Sequence, residues 1–319
     1  MLATVFWGSV LQAYSPLAVM MLAVLAFHPA LAVLAMASAF VTLVPIQLTS
    51  FTYMLVIHGA DNGASPDSFD ANAARAADTG KGWIVVTGVL YQELTRLLLA
   101  YGVVKAEWFF RTHHQVLFAS RFRILPVGAA CGFGMAATLS LLQYGALLQA
   151  AETLGDPGMG VINSDAVFWD RSICPQMPFV YFQALSWCFM SVSHVAWSAL
   201  VTVGVASLVE GGALGPSTAA DDATSPIPVH ARAPIPRPTT LRPTDGKIAL
   251  ALALVLHMVG SCVTLVASDA FDDNTAEVVP GRGCVVTLPI QAIVMAISVL
   301  LACAAAKLDA CKRVNTNDL

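Results

Sequence analysis

Apolar residues along this chain fall into seven long runs separated by polar stretches. The runs cover 2–27, 30–57, 82–104, 124–151, 177–208, 248–268 and 284–306. Each reaches the roughly 20 residues that a helix rising about 1.5 Å per residue needs to cross about 30 Å of hydrocarbon. Backbone inside a bilayer must satisfy its own hydrogen bonds, so the runs predict α-helices. The expected fold is all-α: one polytopic domain over 1–319, a bundle of seven transmembrane helices. Only His28-Pro29 separates the first two runs, which predicts a tight turn and an antiparallel helical hairpin. No Lys, Arg, Asp or Glu precedes Asp61. Without a basic leader or a small-residue cleavage site, the first run reads as a retained span and not as a signal peptide. The connections read as loops: 58–81 is acidic, 105–123 basic and aromatic, 152–176 rich in turn residues, 269–283 acidic, and the tail short. The longest, 209–247, contains Pro-Ile-Pro and Pro-Ile-Pro-Arg-Pro and has too few apolar residues to fold. It is expected to be a disordered linker of polyproline character.

One stretch of the fourth run, 126–140, stands out as the element around which the rest is organised. Gly128, Gly132, Ala136 and Ser140 recur every four residues and form one nearly flat stripe on a helix. Helices in lipid gain nothing by hiding apolar surface from one another and associate where small side chains let backbones approach. The stripe therefore predicts a docking groove for another transmembrane helix. The same spacing also arises by chance in helices rich in Gly and Ala.

Composition agrees with the hydropathy pattern. Hydrophobic residues make up 57% of the 319, charged residues 11%, and mean hydropathy is +0.72. Soluble domains carry about 25% charge, so a soluble fold is excluded. The formal charge of −4 means little until it is divided by side. Seven spans place alternate connections on opposite sides. One set holds Arg75, Lys81, Arg171 and Arg282; the other holds the remaining Lys and Arg outside the spans, eleven in number. Cytosolic loops are enriched in Lys and Arg, so the N-terminus is expected to be lumenal or extracellular and the C-terminus cytosolic. Nothing in this distribution calls for a nucleic-acid partner.

Ionisable groups in hydrocarbon cost several kcal/mol unless paired, which makes each one a functional candidate. Glu93 and Arg96 lie midway along the third run in Tyr-Gln-Glu-Leu-Thr-Arg. Their i, i+3 spacing allows a pair within one helix. Such a pair either anchors a partner or lines a polar cavity, or it only satisfies itself and fixes helix rotation. An adjacent arginine also keeps a carboxylate ionised, which argues against a proton relay. His194 and His257 lie at similar depth on consecutive antiparallel spans. They either face one another and share a hydrogen bond, a water or a partner's polar group, or pack separately. A catalytic zinc site needs three protein ligands, and no third histidine falls at that depth, so no metal or other cofactor is expected. There is no membrane-embedded aspartate pair and no Gly-x-Ser-x-Gly elbow; no catalytic residue is visible. The seven cysteines show no Cys-x-x-Cys spacing. Cys174 and Cys284 fall on the same non-cytosolic side, where a disulfide between them is a hypothesis.

Taken together these residues resemble the anterior pharynx-defective (Aph) family, the seven-span scaffold subunit of γ-secretase, along nearly the whole chain. Val5-Phe6-Trp7-Gly8, Tyr14-Ser15-Pro16-Leu17 and His28-Pro29 look like the family's first hairpin. Gln92-Glu93-x-x-Arg96 resembles its third-helix motif, and Gly128-x-x-x-Gly132-x-x-x-Ala136 is similar to its fourth-helix glycine motif. His194 before Val-Ala-Trp and His257 before Met-Val-Gly-Ser match its two histidines. Ala136 departs from the third glycine, the 209–247 linker is longer, and the 58–81 and 152–176 loops look expanded; no Asn-x-Ser/Thr site is present.

The resemblance implies a non-catalytic scaffold. It would hold nicastrin, presenilin and presenilin enhancer in a complex that cleaves single-span proteins within the bilayer, in endoplasmic reticulum, Golgi, endosomal and plasma membranes. By the same token Gly128, Gly132 and Ala136 would serve helix packing and assembly. His194 and His257 would line a polar cavity that holds presenilin's C-terminal end, with Glu93 and Arg96 supporting it. The alternatives are a seven-span transporter, channel or receptor that uses Glu93, Arg96, His194 and His257 as a polar pathway. A membrane metallohydrolase is the weakest alternative.

Overall fold

The computed structural model of the chain describes residues 2–23, 25–61, 71–114, 124–148, 174, 176–210, 242–268 and 283–317. All of its described elements are helical. Among the described residues seven helices are long and apolar enough to cross a membrane: Trp7–Phe27, Pro29–Leu55, Gly82–Glu107, Ile124–Leu148, Phe179–Val209, Pro243–Leu265 and Gly283–Lys307. They fall on the seven apolar runs in order and are called the first to seventh spans below. Of the predicted linker, 211–241 lies outside the described residues, as do most of 152–176 and all of 269–282.

The centre of the bundle is the fifth span, not the fourth. Within their apolar windows, 89% of the fifth span is buried and 61% of the fourth, against 18–28% for the other five. The first, third, fourth, sixth and seventh spans all pack directly on the fifth. Its composition fits that place. Ser186, Ser191, Ser193, Ser198, Thr202 and Ser207 are all buried in it. Small side chains of this kind let neighbouring backbones come close, which is what drives helix association in lipid.

The first two spans are joined as the sequence predicts. A short 3-10 turn, Leu25–Phe27, leads to His28, and Pro29 opens the second helix. His28 is extended at φ −133° and ψ 83°, as a residue before proline prefers. The missing N–H of Pro29 would have no helical partner anyway. After the turn, however, the first span lies mainly on the fifth and the second on the fourth and third, rather than chiefly on each other. The second run is also divided, into Pro29–Val41 and Leu43–Asp61. Pro45 has no N–H to offer the Val41 carbonyl, and the helix breaks there. Thr42 sits at the joint and its hydroxyl donates to the Ser38 carbonyl at 2.7 Å.

Several predicted loops are partly helix. The helix of the third span runs Ala71–His114, about 66 Å long at 1.5 Å per residue and roughly twice the hydrocarbon thickness. It absorbs parts of the 58–81 and 105–123 stretches. Five of the eight residues in 71–78 are alanine, the best helix former, so helix continues where polarity ends the span. The helix of the seventh span likewise continues to Asn317. The sixth begins at Pro243, five residues before the apolar run. Proline favours the first helical position, and Asp245 accepts the Arg242 N–H at 3.2 Å, half of a capping box.

Cys174 and Cys284 form a disulfide, with Cα atoms 5.2 Å apart, a normal separation for such a bond. Both sulfurs sit in an apolar cluster with Phe182 and Leu288, tying the approach to the fifth span to the start of the seventh. Electrophoresis of the purified protein is expected to show a mobility difference between reduced and non-reduced samples. Cys174→Ser and Cys284→Ser should each abolish it, and a difference that survives either substitution overturns the pairing.

Candidate functional site: a buried charge and histidine cluster beside a polar cavity

The two polar pairs singled out in the sequence are one cluster. The third span supplies Glu93 and Arg96, the fifth His194 and the sixth His257, and all four are at most 5% exposed. Arg96 Nη1 pairs with Glu93 Oε1 across one helical turn. Arg96 Nη2 lies 2.9 Å from His194 Nδ1, and Glu93 Oε1 lies 2.5 Å from His257 Nδ1. The imidazole centroids are 5.0 Å apart and nearly perpendicular. The cluster thus balances one positive against one negative charge: the carboxylate meets the guanidinium and His257, and the guanidinium meets the carboxylate and both histidines. That arrangement answers the cost of burying charge in a low-dielectric interior, which removal of either partner would restore in full.

Trp197 was not singled out from the sequence, yet it organises the cluster. It lies one turn beyond His194 on the fifth span and is fully buried. Its ring stacks on His257 at 4.4 Å and meets His194 edge-on at 5.2 Å, while the Arg96 guanidinium carbon lies 5.9 Å from its centroid. Its indole N–H donates to Ser298 of the seventh span at 2.8 Å. A tryptophan three residues after a buried histidine is the signal that was available, since i and i+3 share a helix face.

The small-residue stripe of the fourth span is filled by the fifth span of the same chain. A Cβ added at Gly132 would lie 2.7 Å from the Val195 Cα, and one at Gly128 would lie 2.8 Å from the Ala199 Cα. Ala136 is wholly buried, and Ser140 shares a 2.8 Å hydrogen bond with Ser191. The contacts step backwards along the fifth span as they step forwards along the fourth, so the two helices are antiparallel. Gly134, outside the stripe, does the same on another face: its missing side chain makes room for the Ala35 carbonyl and the Ser38 hydroxyl of the second span. Ser38 in turn donates to the Cys131 carbonyl at 2.7 Å. At the far end of the stripe the helix widens to a π-turn, Ser140–Tyr144, where the Tyr14 hydroxyl donates to the Ser140 carbonyl at 3.1 Å. Because the fourth and fifth backbones meet so closely, His194 is carried to a fixed depth against the third span.

His194 and His257 also line a cavity of about 520 Å³. Its walls come from the second to sixth spans, and they offer Thr49, Gln92, Gln143, Gln183, Ser261 and Thr264 among apolar residues such as Phe182 and Met190. Gln92 Oε1 is buried with no hydrogen-bond partner among the described residues. A buried acceptor left unpaired costs about 1–3 kcal/mol, so the wall has polar capacity to spare. Among the described residues no three His, Cys, Asp or Glu side chains are grouped to hold a metal ion.

These features define an all-helical protein with the architecture of a multi-pass membrane protein. No family model matches the chain, and no curated protein matches it.

Proposed function

We propose that this chain is the non-catalytic scaffold subunit of a γ-secretase-type intramembrane aspartyl protease complex, the role its motifs resemble. The observation that carries the reading is the cavity flanked by the closed Glu93–Arg96–His194–His257 cluster. It has the volume to take a segment of a partner chain, and its two charges balance one another, with only the Arg96 Nε left without a hydrogen-bond partner among the described residues. A cluster so neutralised supports a fixed receptacle better than a group that must gain or lose protons in turnover. Presenilin, which would bring both catalytic aspartates, is the proposed occupant through its C-terminal end; nicastrin and presenilin enhancer are the other proposed partners. The small-residue contacts of Gly128, Gly132 and Ala136 serve this role indirectly, by setting where His194 stands.

The orientation belongs to the same proposal: N-terminus lumenal or extracellular, C-terminus cytosolic, in secretory-pathway and plasma membranes. Two independent features support it. Lys and Arg concentrate on the opposite set of connections, and the Cys174–Cys284 disulfide calls for the oxidising side of the membrane.

Affinity purification in mild detergent, followed by identification of the co-purifying membrane proteins, tests the assignment. A presenilin and a nicastrin are expected, with recovery reduced several-fold by His194→Ala combined with His257→Ala. Purification of the chain alone from its native membrane would sink the proposal. The cavity also serves a transporter or channel reading; ion or solute flux through the purified chain in liposomes, absent on the scaffold reading, separates the two.

A further inference from the structure

We propose that the cavity is loaded from the side: a transmembrane helix of the partner seats between the second and fourth spans, and its terminal residues enter the cavity there. The identity of that partner rests on the reading above, whereas the doorway rests on how the second span is attached.

The cavity lies in one half of the bundle. Thr49 is near the end of the second span, 84–92 opens the third, Leu139 and Gln143 are near the end of the fourth, and Thr264 is near the end of the sixth. In the other half the second span covers the fourth. The Ser38 hydroxyl donates to the Cys131 carbonyl at 2.7 Å, and the Thr138 hydroxyl donates to the Ala39 carbonyl at 3.2 Å. Those contacts stop at the helix break between Thr42 and Pro45. Beyond it, Leu43–Asp61 leans chiefly on the third span. The attachment is a narrow stripe. Of residues 43–55 only Pro45 is buried, and only Ile46, Thr49 and Thr52 are half-buried. The Thr52 and Tyr91 hydroxyls share a 3.2 Å hydrogen bond, and Thr49 fits against Gly88. Past Thr138 the fourth span loses its cover. Leu139 and Gln143 line the cavity instead, and the helix there widens to the π-turn Ser140–Tyr144, a distortion frequent at functional sites.

Whatever fills this doorway must bring hydrogen bonds as well as apolar surface. Gln47 and Gln143 are both exposed. They lie eight residues before Leu55 and five before Leu148, the ends of their spans, so about 12 and 8 Å into the membrane at about 1.5 Å per residue. Leu48, Phe51 and Leu142 beside them in the chain are exposed too. A lipid tail covers leucine and phenylalanine but gives an amide nothing. A helix that ends within the bilayer suits both: its flank is apolar, and its last four carbonyls have no donor within their own helix. Glutamine N–H groups can supply that donor, and polar side chains of this kind join helices in lipid.

Photocrosslinking in the native membrane gives the test, using the full chain with p-benzoylphenylalanine replacing Gln47 or Gln143. Ile293 of the seventh span, which is also exposed, is the control position. Mass spectrometry of the adducts is expected to find one transmembrane segment, next to a chain terminus, at both glutamine positions and not at Ile293. Adducts to phospholipid alone, to unrelated segments, or equally at Ile293 overturn the doorway. Pro45→Ala gives the Val41 carbonyl its helical partner and should continue the second helix along the fourth, lowering recovery of the partner several-fold. Thr49→Cys with Gly88→Cys is the rescue. A Cβ at Gly88 would stand 4.0 Å from that of Thr49, within disulfide range, so the bond pins the outer half to the third span and should restore recovery in the Pro45→Ala chain. Unchanged recovery with Pro45→Ala, or a loss that the pin does not relieve, also overturns the doorway. The crosslinks decide the matter if Pro45→Ala fails to fold. A segment from a protein other than presenilin would keep the doorway and end the scaffold reading; presenilin recovered but crosslinked at neither glutamine would do the reverse.

Discussion

Replacing Gly132 by leucine is expected to cost the isolated protein its fold, not merely its partners. The hydrogen it replaces faces the backbone of the fifth span: a Cβ there would stand 2.7 Å from the Val195 Cα and 2.8 Å from the Ser198 Cβ. These atoms have no rotamer into which to retreat, so the fourth and fifth helices must separate. Overpacking a filled interior costs about 1–3 kcal/mol and sometimes more, and each 1.4 kcal/mol is about tenfold in an equilibrium. Recovery of monodisperse protein from mild detergent should therefore fall roughly tenfold or more. Gly102→Leu on the third span is the control, because no atom lies within 4 Å of its added Cβ; recovery should be unchanged. A Gly132→Leu protein as stable as the parent, having lost only its companions, would mean that the groove receives a helix from another chain in the assembled state.

That outcome bears on what the sequence made visible. The seven spans were legible because a bilayer imposes a length and a polarity that no soluble fold needs. Which span sits at the centre was not, because hydropathy carries no such signal in lipid. The fifth span, 89% buried, has a mean hydropathy of 1.7, while the sixth and seventh, at 22% and 28%, reach 2.3 and 2.4. The most buried helix is less apolar than two of the most exposed, since its interior positions are spent on serine and threonine contacts with neighbours. Counting small polar residues would have pointed to it. The Gly128–Gly132 stripe was readable as a groove, but spacing alone does not say whose helix fills it. Glu93 with Arg96, and His194 with His257, were each readable as a local or facing pair; their union across three spans depends on helix rotation, which Trp197 and the Gly132 contact set. The helical extensions at Ala71 and Pro243 followed from alanine content and a proline start, cues that a search for apolar length passes over.

Arg96→Met is expected to destabilise the chain by about 3–5 kcal/mol, because it leaves Glu93 as a buried carboxylate facing one neutral histidine. Glu93→Gln should cost a similar amount for the opposite reason, since the guanidinium then lacks its counter-charge and keeps only neutral neighbours, His194, His257 and the Trp197 ring. The combination is the informative variant. With both charges gone the desolvation cost disappears with them, and the double substitution should recover at least half of what Arg96→Met loses. The interaction term of the double-mutant cycle should accordingly exceed about 2 kcal/mol, within the range seen for residues sharing one network. Thermal unfolding in a fixed detergent, followed by loss of the monodisperse peak, supplies the three differences. Additive losses would show that each charge is solvated on its own, by water in the neighbouring cavity, and that the cluster is not the closed unit its contacts describe. A stable double variant would further separate architecture from role: the seven-span bundle would stand without its charges, leaving the pair's retention to be explained by what it does to His194 and His257.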